Sequence, residues 1–438
     1  MEKNNSEQLG FLDSRGLIIR GGLIVVIILA IIGAFYGVRW QLGQALAESF
    51  APNAENSGQT ALAAVILAPR NSLAYSISAK VQQGRTLPDI LEKARTDNEE
   101  AVRYSPKDYR YWLELGRTRE QSGDSPGGEA AMRRAVEIAP GYAYPRWMLG
   151  NLLLREDKKE DALTEFKRVA ATHSMLRQQV FYLVWETSGG NADELKQLFG
   201  DTPVVRAALA VFYAGKNLPN QSVQMWQSLN SDEKAENREA GKNALRANYE
   251  RLNAHAATVF ARDLGFETAE IGKITNGGFE QEIGKSVDAI FGWHIDQIKN
   301  ADISLDLRQP REGKRSLRMT FSGYSEPTLQ AAPQLVAVES GARYRLSIAV
   351  RTADLKSAGT PILEVADVKT SKILGASQPF AAGTNDWQTI VVEFIVPPDA
   401  QAVVIRTTRA FCGANCPIIG AIWYDDFKLE RADKTEKK

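Results

Sequence analysis

The chain has 438 residues, long enough for two or three domains, and its hydrophobic fraction of 44% is ordinary for folded protein. Lys+Arg and Asp+Glu are equal at 53 each, so no net charge would attract nucleic acid or a strongly acidic partner. With only two Cys and three His, few side chains are available for metal or nucleophilic chemistry.

An apolar segment lies near the N-terminus. Residues 21–38 carry no charge, and together with the preceding residues they reach the roughly 20 residues that a helix needs to cross a membrane. Tyr36 and Trp40 lie at the far end, where aromatic side chains anchor a helix at the interface. We therefore predict a single transmembrane signal anchor at 17–40, preceded by a short tail at 1–16.

The distribution of positive charge predicts the orientation of this anchor. Lys3, Arg15 and Arg20 precede the apolar run, whereas the first Lys or Arg beyond Arg39 is Arg70. The positive-inside rule then places the N-terminus in the cytoplasm. The predicted location is the bacterial inner membrane, with the bulk of the chain in the periplasm.

Two alternatives to an uncleaved anchor stay open at this point. Ala45-Leu46-Ala47 is a small-x-small site at which a signal peptide could be cleaved, after Ala47. A buried core helix is less favoured, because soluble helices of this length usually carry a polar stripe. A polar linker is predicted at 41–60.

A phrase then recurs at a spacing of about 34 residues, which is typical of stacked helical hairpins. It resembles the pattern of the tetratricopeptide repeat (TPR) family, and the matching positions are Trp112, Leu115, Gly116, Ala135, Pro140, Leu149, Gly150, Ala162 and Phe166. The resemblance implies an all-α solenoid, here 61–262, whose groove binds a partner protein. Another helical-hairpin solenoid is the alternative. One long charged helix is expected at 231–260 as its cap.

From about residue 274 the spacing of apolar residues changes from helical to alternating. Leu317, Met319 and Phe321 alternate with polar residues, and the same alternation recurs at 344–350 and 390–396. Strands of this kind, separated by turns that contain Gly and Pro, predict an all-β sandwich. A polar tail follows at 432–438.

Two phrases narrow this prediction, Ile274-Thr-Asn-Gly-Gly-Phe-Glu280 and Trp423-Tyr-Asp-Asp-Phe-Lys-Leu429. Residues 274–431 resemble the jelly-roll carbohydrate-binding modules related to families 4 and 9, within the galactose-binding-like superfamily. The resemblance implies a jelly-roll fold in which exposed aromatic rings contact sugar. Trp293 and Tyr324, in less regular segments, are the predicted carbohydrate contacts. Trp387 and Trp423 are assigned to the core.

The same resemblance implies a structural calcium ion, because such modules often hold one between their opening Phe-Glu and their closing Asp-Asp. Glu280 and Asp425 are the implied ligands here, with Asp426 as the less favoured choice. Carboxylate oxygens suit calcium. The alternative, in which these carboxylates close strand ends without a metal, stays open.

The two cysteines, Cys412 and Cys416, enclose three residues before the last predicted strand. A zinc site would need four ligands, and the chain has no other Cys. Outside the cytoplasm a disulfide between the two is the natural prediction.

No nucleophile elbow, phosphate-binding loop, dinucleotide fingerprint or His-Glu-x-x-His motif occurs in the sequence. We therefore predict a multidomain, non-catalytic scaffold that binds a partner protein and contacts glycan, in cell-surface polysaccharide assembly or export. The alternative is a structural subunit of a membrane complex whose β-sandwich makes only protein contacts. A glycosidase that sequence does not reveal is the third hypothesis.

Overall fold

We describe the chain from a computed structural model that covers residues 16–83, 88–266, 270–283, 290–295, 297–324, 326, 329–413 and 416–432. For positions 17–19, 83 and 88 it describes the backbone only. The tails predicted at 1–16 and 432–438 lie almost entirely outside the described residues. The chain divides into two compact units, Met1–Val180 and Phe181–Lys438, which are treated separately below.

Fifteen helices occur in the described part of the first 263 residues. They are α1 Leu17–Glu48, α2 Ser57–Leu67, α3 Ser72–Gln83, α4 Pro88–Tyr104, α5 Tyr109–Gln121, α6 Ser125–Ile138, α7 Ala143–Arg155, α8 Lys159–Thr172, α9 Ser174–Thr187, α10 Ala192–Phe199, α11 Pro203–Gly215, α12 Pro219–Gln227, α13 Ser231–Glu236, α14 Arg238–Glu250 and α15 Ala254–Asp263. Consecutive helices pack as hairpins in the pairs α3–α4, α5–α6 and α7–α8, as the repeat pattern predicts, and again in α11–α12 and α14–α15.

The first helix is long and apolar enough to cross a membrane, although a signal sequence would pass the same test. It does not end at the predicted membrane boundary, because α1 continues without a break to Glu48. Its last turns pack into the first small core, where Ala47 meets Ala61 and Ala64 of α2 and Ala74 and Ile77 of α3. Much of the segment expected to be a linker is therefore helical.

Glycine allows the two helices of a hairpin to approach closely. A Cβ atom on Gly116 of α5 would lie 2.6 Å from Cγ of Met132 in α6. A Cβ atom on Gly150 of α7 would lie 2.6 Å from the ring of Phe166 in α8. Because only glycine leaves room for these large buried side chains, the repeated Leu-Gly pair marks the closest contact of each hairpin.

Local hydrogen bonds define where the helices of these hairpins begin. The Asp108 carboxylate accepts a hydrogen bond from the Arg110 backbone N–H at the start of α5. Asp124 does the same for Gly127 at the start of α6. Such caps satisfy backbone N–H groups that have no partner inside the helix.

The prediction of one long capping helix at 231–260 is wrong. The structure has three helices there, α13, α14 and α15. Asn230 and Glu233 form a capping box that begins the short α13. A second break follows α14, where Leu252 adopts a left-handed backbone conformation with φ of 61°. Such a conformation is incompatible with a continuing right-handed helix.

The C-terminal domain is a sandwich of two antiparallel sheets. Its strands are β1 Ala301–Asp306, β2 Ser316–Tyr324, β3 Ala331–Ala337, β4 Arg343–Lys356, β5 Pro361–Asp367, β6 Ile373–Ala376, β7 Gly383–Ile395, β8 Ala402–Arg409 and β9 Ile418–Arg431. One sheet has the order β1-β2-β9-β4-β7 and the other β3-β8-β5-β6. The predicted all-β sandwich is confirmed.

Alternating apolar side chains of the two sheets form one core. Met319 on β2, Leu346 on β4 and Ile422 on β9 contribute from the five-stranded sheet, and Val365 and Ile405 contribute from the four-stranded sheet. Each of these side chains is fully or almost fully buried. The opposite face of each strand is thereby directed away from this core.

The last helix of the array contacts the sandwich within the second compact unit. The imidazole Nε2 of His255, on α15, lies 2.8 Å from the Val338 carbonyl oxygen. The His255 backbone N–H donates to the Gln401 side-chain oxygen, and the Tyr249 and Phe291 rings meet edge to face. The end of the array therefore packs against the sandwich. The sequence had instead predicted that its last helix would face solvent as a cap.

Replacing Gly150 with Ala should lower the stability of the helical array by about 1–3 kcal/mol, since the new methyl group would overlap the buried Phe166 ring. Thermal unfolding followed by circular dichroism measures the effect. Gly141→Ala is the matched control, because a Cβ atom there meets nothing within 4 Å. Equal unfolding midpoints for the two variants would contradict this account of the repeat glycine.

Candidate functional site

The two predicted carbohydrate contacts lie inside the sandwich. Trp293 is 4% exposed, and its indole N–H donates to the Asn276 carbonyl while its ring packs against Phe279 and Phe427. Tyr324 is 5% exposed and belongs to the same core. Neither ring presents a face to solvent, so the prediction that they stack on sugar is wrong.

Trp423 and Trp387, which the sequence assigned to the core, lie on the outer face of the five-stranded sheet. Trp423 is partly exposed on β9 between Ile422 and Tyr424, which are both buried. Because side chains alternate along a strand, the indole of Trp423 points away from the core. Trp387 on β7 is also partly exposed. Its neighbour Gln388 pairs with Val350, which enters the core, so Trp387 is directed to the opposite, outer face.

The register of the sheet places two arginines beside these tryptophans. Trp423 is paired with Arg318 on β2 and with Arg351 on β4. The ladder between β4 and β7 shifts register between Val350 and Thr352, so that Arg351 lies opposite Asp386 and Trp387 of β7. We call these four side chains, Arg318, Trp423, Arg351 and Trp387, the outer row. It crosses four adjacent strands, a distance of roughly 14 Å.

Acidic side chains hold the outer row in position. The Trp423 indole N–H donates to Asp306 Oδ2 over 2.8 Å, and Asp306 also accepts from the Arg308 backbone N–H. Burial raises the pKa of Asp306, but these hydrogen bonds outweigh it, and the net pKa is lowered. Asp306 is therefore ionised at neutral pH, and it orients the indole ring. On β7, Asp386 accepts from Arg351 over 2.9 Å.

This arrangement has the chemistry of a glycan contact surface. Indole rings offer a flat apolar face with a polar edge. Guanidinium groups offer several fixed N–H donors to hydroxyl or carboxylate oxygens. The alternation of the two types across a sheet suits an extended, hydroxyl-rich chain.

A cleft of about 350 Å³ also lies beside β7 in the same domain. Val350 and Phe380 form its apolar part, and Gln378, Asn385 and Gln388 contribute amide groups. The Asn385 amide already donates to Thr352 Oγ1 and to the Ala381 carbonyl. Since its best-placed donor is used within the protein, the cleft is less suited to a polar ligand than the outer row.

The carboxylates predicted to bind calcium hold backbone amides of the loop after β1. Asp425 Oδ2 accepts from the N–H groups of Arg311 and Glu312, and its Oδ1 accepts from the N–H of Asp426. Glu280 Oε1 accepts from two further N–H groups of the same loop. Asp425 has no exposed surface.

The carboxylate oxygens of Glu280 and Asp425 are poorly suited to bind calcium, because backbone N–H groups already donate to them. Asp426, the less favoured of the predicted ligands, is engaged in ion pairs with Arg311 and Lys428. Among the described residues, no three His, Cys, Asp or Glu side chains gather as a metal site requires. The geometry favours carboxylates that close the loop without a metal, and calcium binding stays a prediction.

The predicted disulfide is confirmed, since Cys412 and Cys416 are bonded to each other with their Cα atoms 5.7 Å apart. It follows β8 and precedes β9. The outer row lies on β2, β9, β4 and β7, whereas the disulfide lies in the segment between β8 and β9 and is not part of it.

In the first compact unit, a cleft of about 300 Å³ lies between the first helices of three successive hairpins. Ser76 and Lys80 of α3, Arg110 and Glu114 of α5, and Tyr144 of α7 line it. Tyr144 is 52% exposed. We call this cleft the array groove. Its mixture of charged and aromatic side chains suits a peptide segment.

The comparisons support the two parts of the chain unequally. Residues 272–409 match the family model described as a carbohydrate binding domain. A search of curated proteins finds no match. The predicted resemblance to carbohydrate-binding modules is confirmed for the β domain. The region that precedes it is all-α, as the repeat pattern predicts.

Similar solved structures include representatives of both parts. MamA 41-end from Desulfovibrio magneticus RS-1 is 22% identical over 31% of this chain and 73% of that chain, with a TM-score of 0.26. YrrB, described as a TPR protein with an unusual peptide-binding site, is 19% identical over 44% and 82%, with a TM-score of 0.23. The structure described as "CBM4 structure and function" is 17% identical over 36% and 99%, with a TM-score of 0.28.

Asp425→Ala should destabilise the β-sandwich by about 3 kcal/mol or more, because three backbone N–H groups would lose their buried partner. Glu280→Ala should cost only about 1 kcal/mol, since Glu280 is exposed and water can replace its carboxylate. Thermal unfolding of the full chain measures both effects.

A calcium chelator should leave the unfolding midpoint of the parent chain unchanged, because backbone amides already occupy these carboxylates. The same unfolding assay, run with and without the chelator and then with calcium restored, measures this. A midpoint that falls with chelator and recovers with calcium would establish the metal site instead.

Proposed function

We propose that the chain is a non-catalytic, membrane-anchored scaffold of the bacterial periplasm that acts in the assembly or export of cell-surface polysaccharide. Its β-sandwich contacts glycan through the outer row, and its helical array holds a partner protein. The observation that carries this proposal is the outer row itself, two tryptophans and two arginines aligned on one sheet of a domain that matches a carbohydrate-binding family.

Three features support the location. The apolar α1 is long enough to serve as the anchor. Positive charge precedes it in the sequence, which favours a cytoplasmic N-terminus. The disulfide between Cys412 and Cys416 suits an oxidising compartment.

The alternative function is that of a structural subunit whose sandwich contacts only protein. Exposed aliphatic side chains on the outer face of the five-stranded sheet favour it. Val391 and Ile395 on β7 and Ile419 on β9 are 39%, 54% and 46% exposed. Aliphatic side chains of this kind contribute more to protein interfaces than to sugar contacts.

A panel of bacterial cell-surface polysaccharides, tested against the purified full chain, distinguishes these functions. We expect saturable binding to at least one polysaccharide. Trp423→Ala and Trp387→Ala should each weaken that binding about tenfold, because loss of one ring contact of about 1.4 kcal/mol changes the dissociation constant by that factor.

Phe411→Ala is the matched control for the two tryptophan variants, since Phe411 is an aromatic side chain of the same domain that is 84% exposed and lies outside the outer row. Loss of binding in Phe411→Ala with full binding in both tryptophan variants would contradict the proposed site. Binding to no polysaccharide, together with a membrane protein that co-purifies in equal amount, would favour the structural-subunit function.

For the array groove, Tyr144→Ala should abolish co-purification of the partner protein from solubilised membranes, because Tyr144 is the most exposed aromatic side chain of the groove lining. Quantitative mass spectrometry of the purified complex measures this. Tyr182→Ala is the control, since Tyr182 of α9 is 54% exposed, close to the value for Tyr144, and does not line the groove. Equal loss of the partner in both variants would argue against recognition by the groove.

A further inference from the structure

The second helix runs back along the anchor helix toward its apolar part. Ala61 and Ala64 of α2 share a core with Ala47 of α1. Ala68, just beyond the end of α2, lies against Gly43 of α1. As the residue number rises along α2, its neighbours on α1 therefore fall in number, so the two helices are antiparallel.

The contact between these helices is close and specific. A Cβ atom on Gly43 would lie 2.6 Å from Cβ of Ala68 and 2.8 Å from its backbone nitrogen, so only glycine fits there. The Arg39 guanidinium donates to the Ile66 carbonyl oxygen over 2.7 Å. The C-terminal end of α2 is thus fixed within about one helical turn of Arg39, the first charge after the apolar run.

On the side away from this contact, α2 presents apolar side chains that are more than half exposed. Leu62 and Ile66, four positions apart and so on one face of the helix, are each 55% exposed. Leu42 of α1, at the same level, is 54% exposed. The sequence of α2, SGQTALAAVIL, contains no charged residue.

We propose that the C-terminal end of α2 enters the membrane interface, with Ile66 inserted among the lipids beside the anchor helix and Leu62 at the outer edge of the interface. This inference rests on the proposed anchor. It goes further, because it makes the membrane the partner of α2, the helix that precedes the first hairpin of the array, and so fixes the array to the bilayer surface. A chain joined through a flexible linker would lack this constraint.

The observations favour lipid over a protein partner as the cover of this face. The exposed side chains of α2 continue the apolar surface of α1 and lie at the level where its membrane-spanning part ends. An uncharged apolar helix end at that depth is more favourable in contact with lipid acyl chains than with water. Arg70, exposed just beyond α2, can reach lipid phosphate groups from the same position.

Depth-dependent fluorescence quenching tests the proposal on the full chain in lipid vesicles. An environment-sensitive fluorophore is attached to one introduced cysteine at a time, in Ile66→Cys, Leu62→Cys or Gln59→Cys, with the native disulfide left oxidised. These positions follow one face of α2 and are exposed, and Gln59 lies about 10 Å farther from the bilayer than Ile66. A nitroxide carried on the lipid acyl chain is the quencher.

We expect quenching at Ile66 at least about twice that at Gln59, with Leu62 between them, and a blue-shifted emission at Ile66. Ile31→Cys, in the middle of α1, reports on the anchor itself. Strong quenching at Ile31 with equal, weak quenching at Ile66 and Gln59 would overturn the interfacial placement and leave the anchor intact. No quenching at Ile31 would overturn the anchor, and the interfacial placement with it.

A protein cover gives a different result. If a second copy or another membrane protein covers α2, the emission at Ile66 is blue-shifted but the lipid-bound nitroxide does not quench it. That outcome would also overturn the proposal. Matching thermal unfolding midpoints of the variants and the parent chain verify that each variant is folded.

Discussion

The alternation of side chains along β9 determines what the C-terminal domain can bind. This strand lies in the middle of the five-stranded sheet, between β2 and β4, so each of its residues has neighbours on both sides. Ile422 and Tyr424 enter the core, and Trp423 is directed outward between Arg318 and Arg351. A shift of one residue in this register would bury the tryptophan and remove the outer row.

A bulge in β9 at Asp426 allows the residues on both sides of it to direct their apolar side chains into the core. Asp426 adopts a left-handed conformation with φ of 55°, and Asp425, just before it, accepts three backbone hydrogen bonds. Beyond the bulge, Phe427 and Leu429 return to the core. The buried Asp425 carboxylate therefore has two effects. It stabilises the loop after β1, and it stabilises the bulge at which the inward-facing positions of β9 change from even to odd residue numbers.

Much of the architecture could be predicted from the sequence, because it depends on short-range patterns. The spacing between Gly116 and Gly150 reflects the closest contacts of two hairpins, and the alternation of Leu317, Met319 and Phe321 reflects a strand with one buried face. These patterns repeat, so an error at one position does not change the assignment of the fold.

The binding face could not be predicted in the same way. Along β9, apolar residues occur at both parities, with Ile418 and Ile422 buried and Ile419 exposed, so parity alone does not say which face holds Trp423. Trp293 lies outside the regular strands, and only the folded domain shows that it closes the core. The path of α2 back along α1 likewise depends on a contact between Gly43 and Ala68 that no local pattern reveals.

The structure of the full chain bound to a fragment of the polysaccharide that it retains would test the central claim most directly. The account predicts a sugar ring against the indole of Trp423, with the guanidinium groups of Arg318 and Arg351 donating to its oxygens. A sugar bound in the cleft beside Gln378, Asn385 and Gln388, with the outer row unchanged and open to solvent, would contradict it.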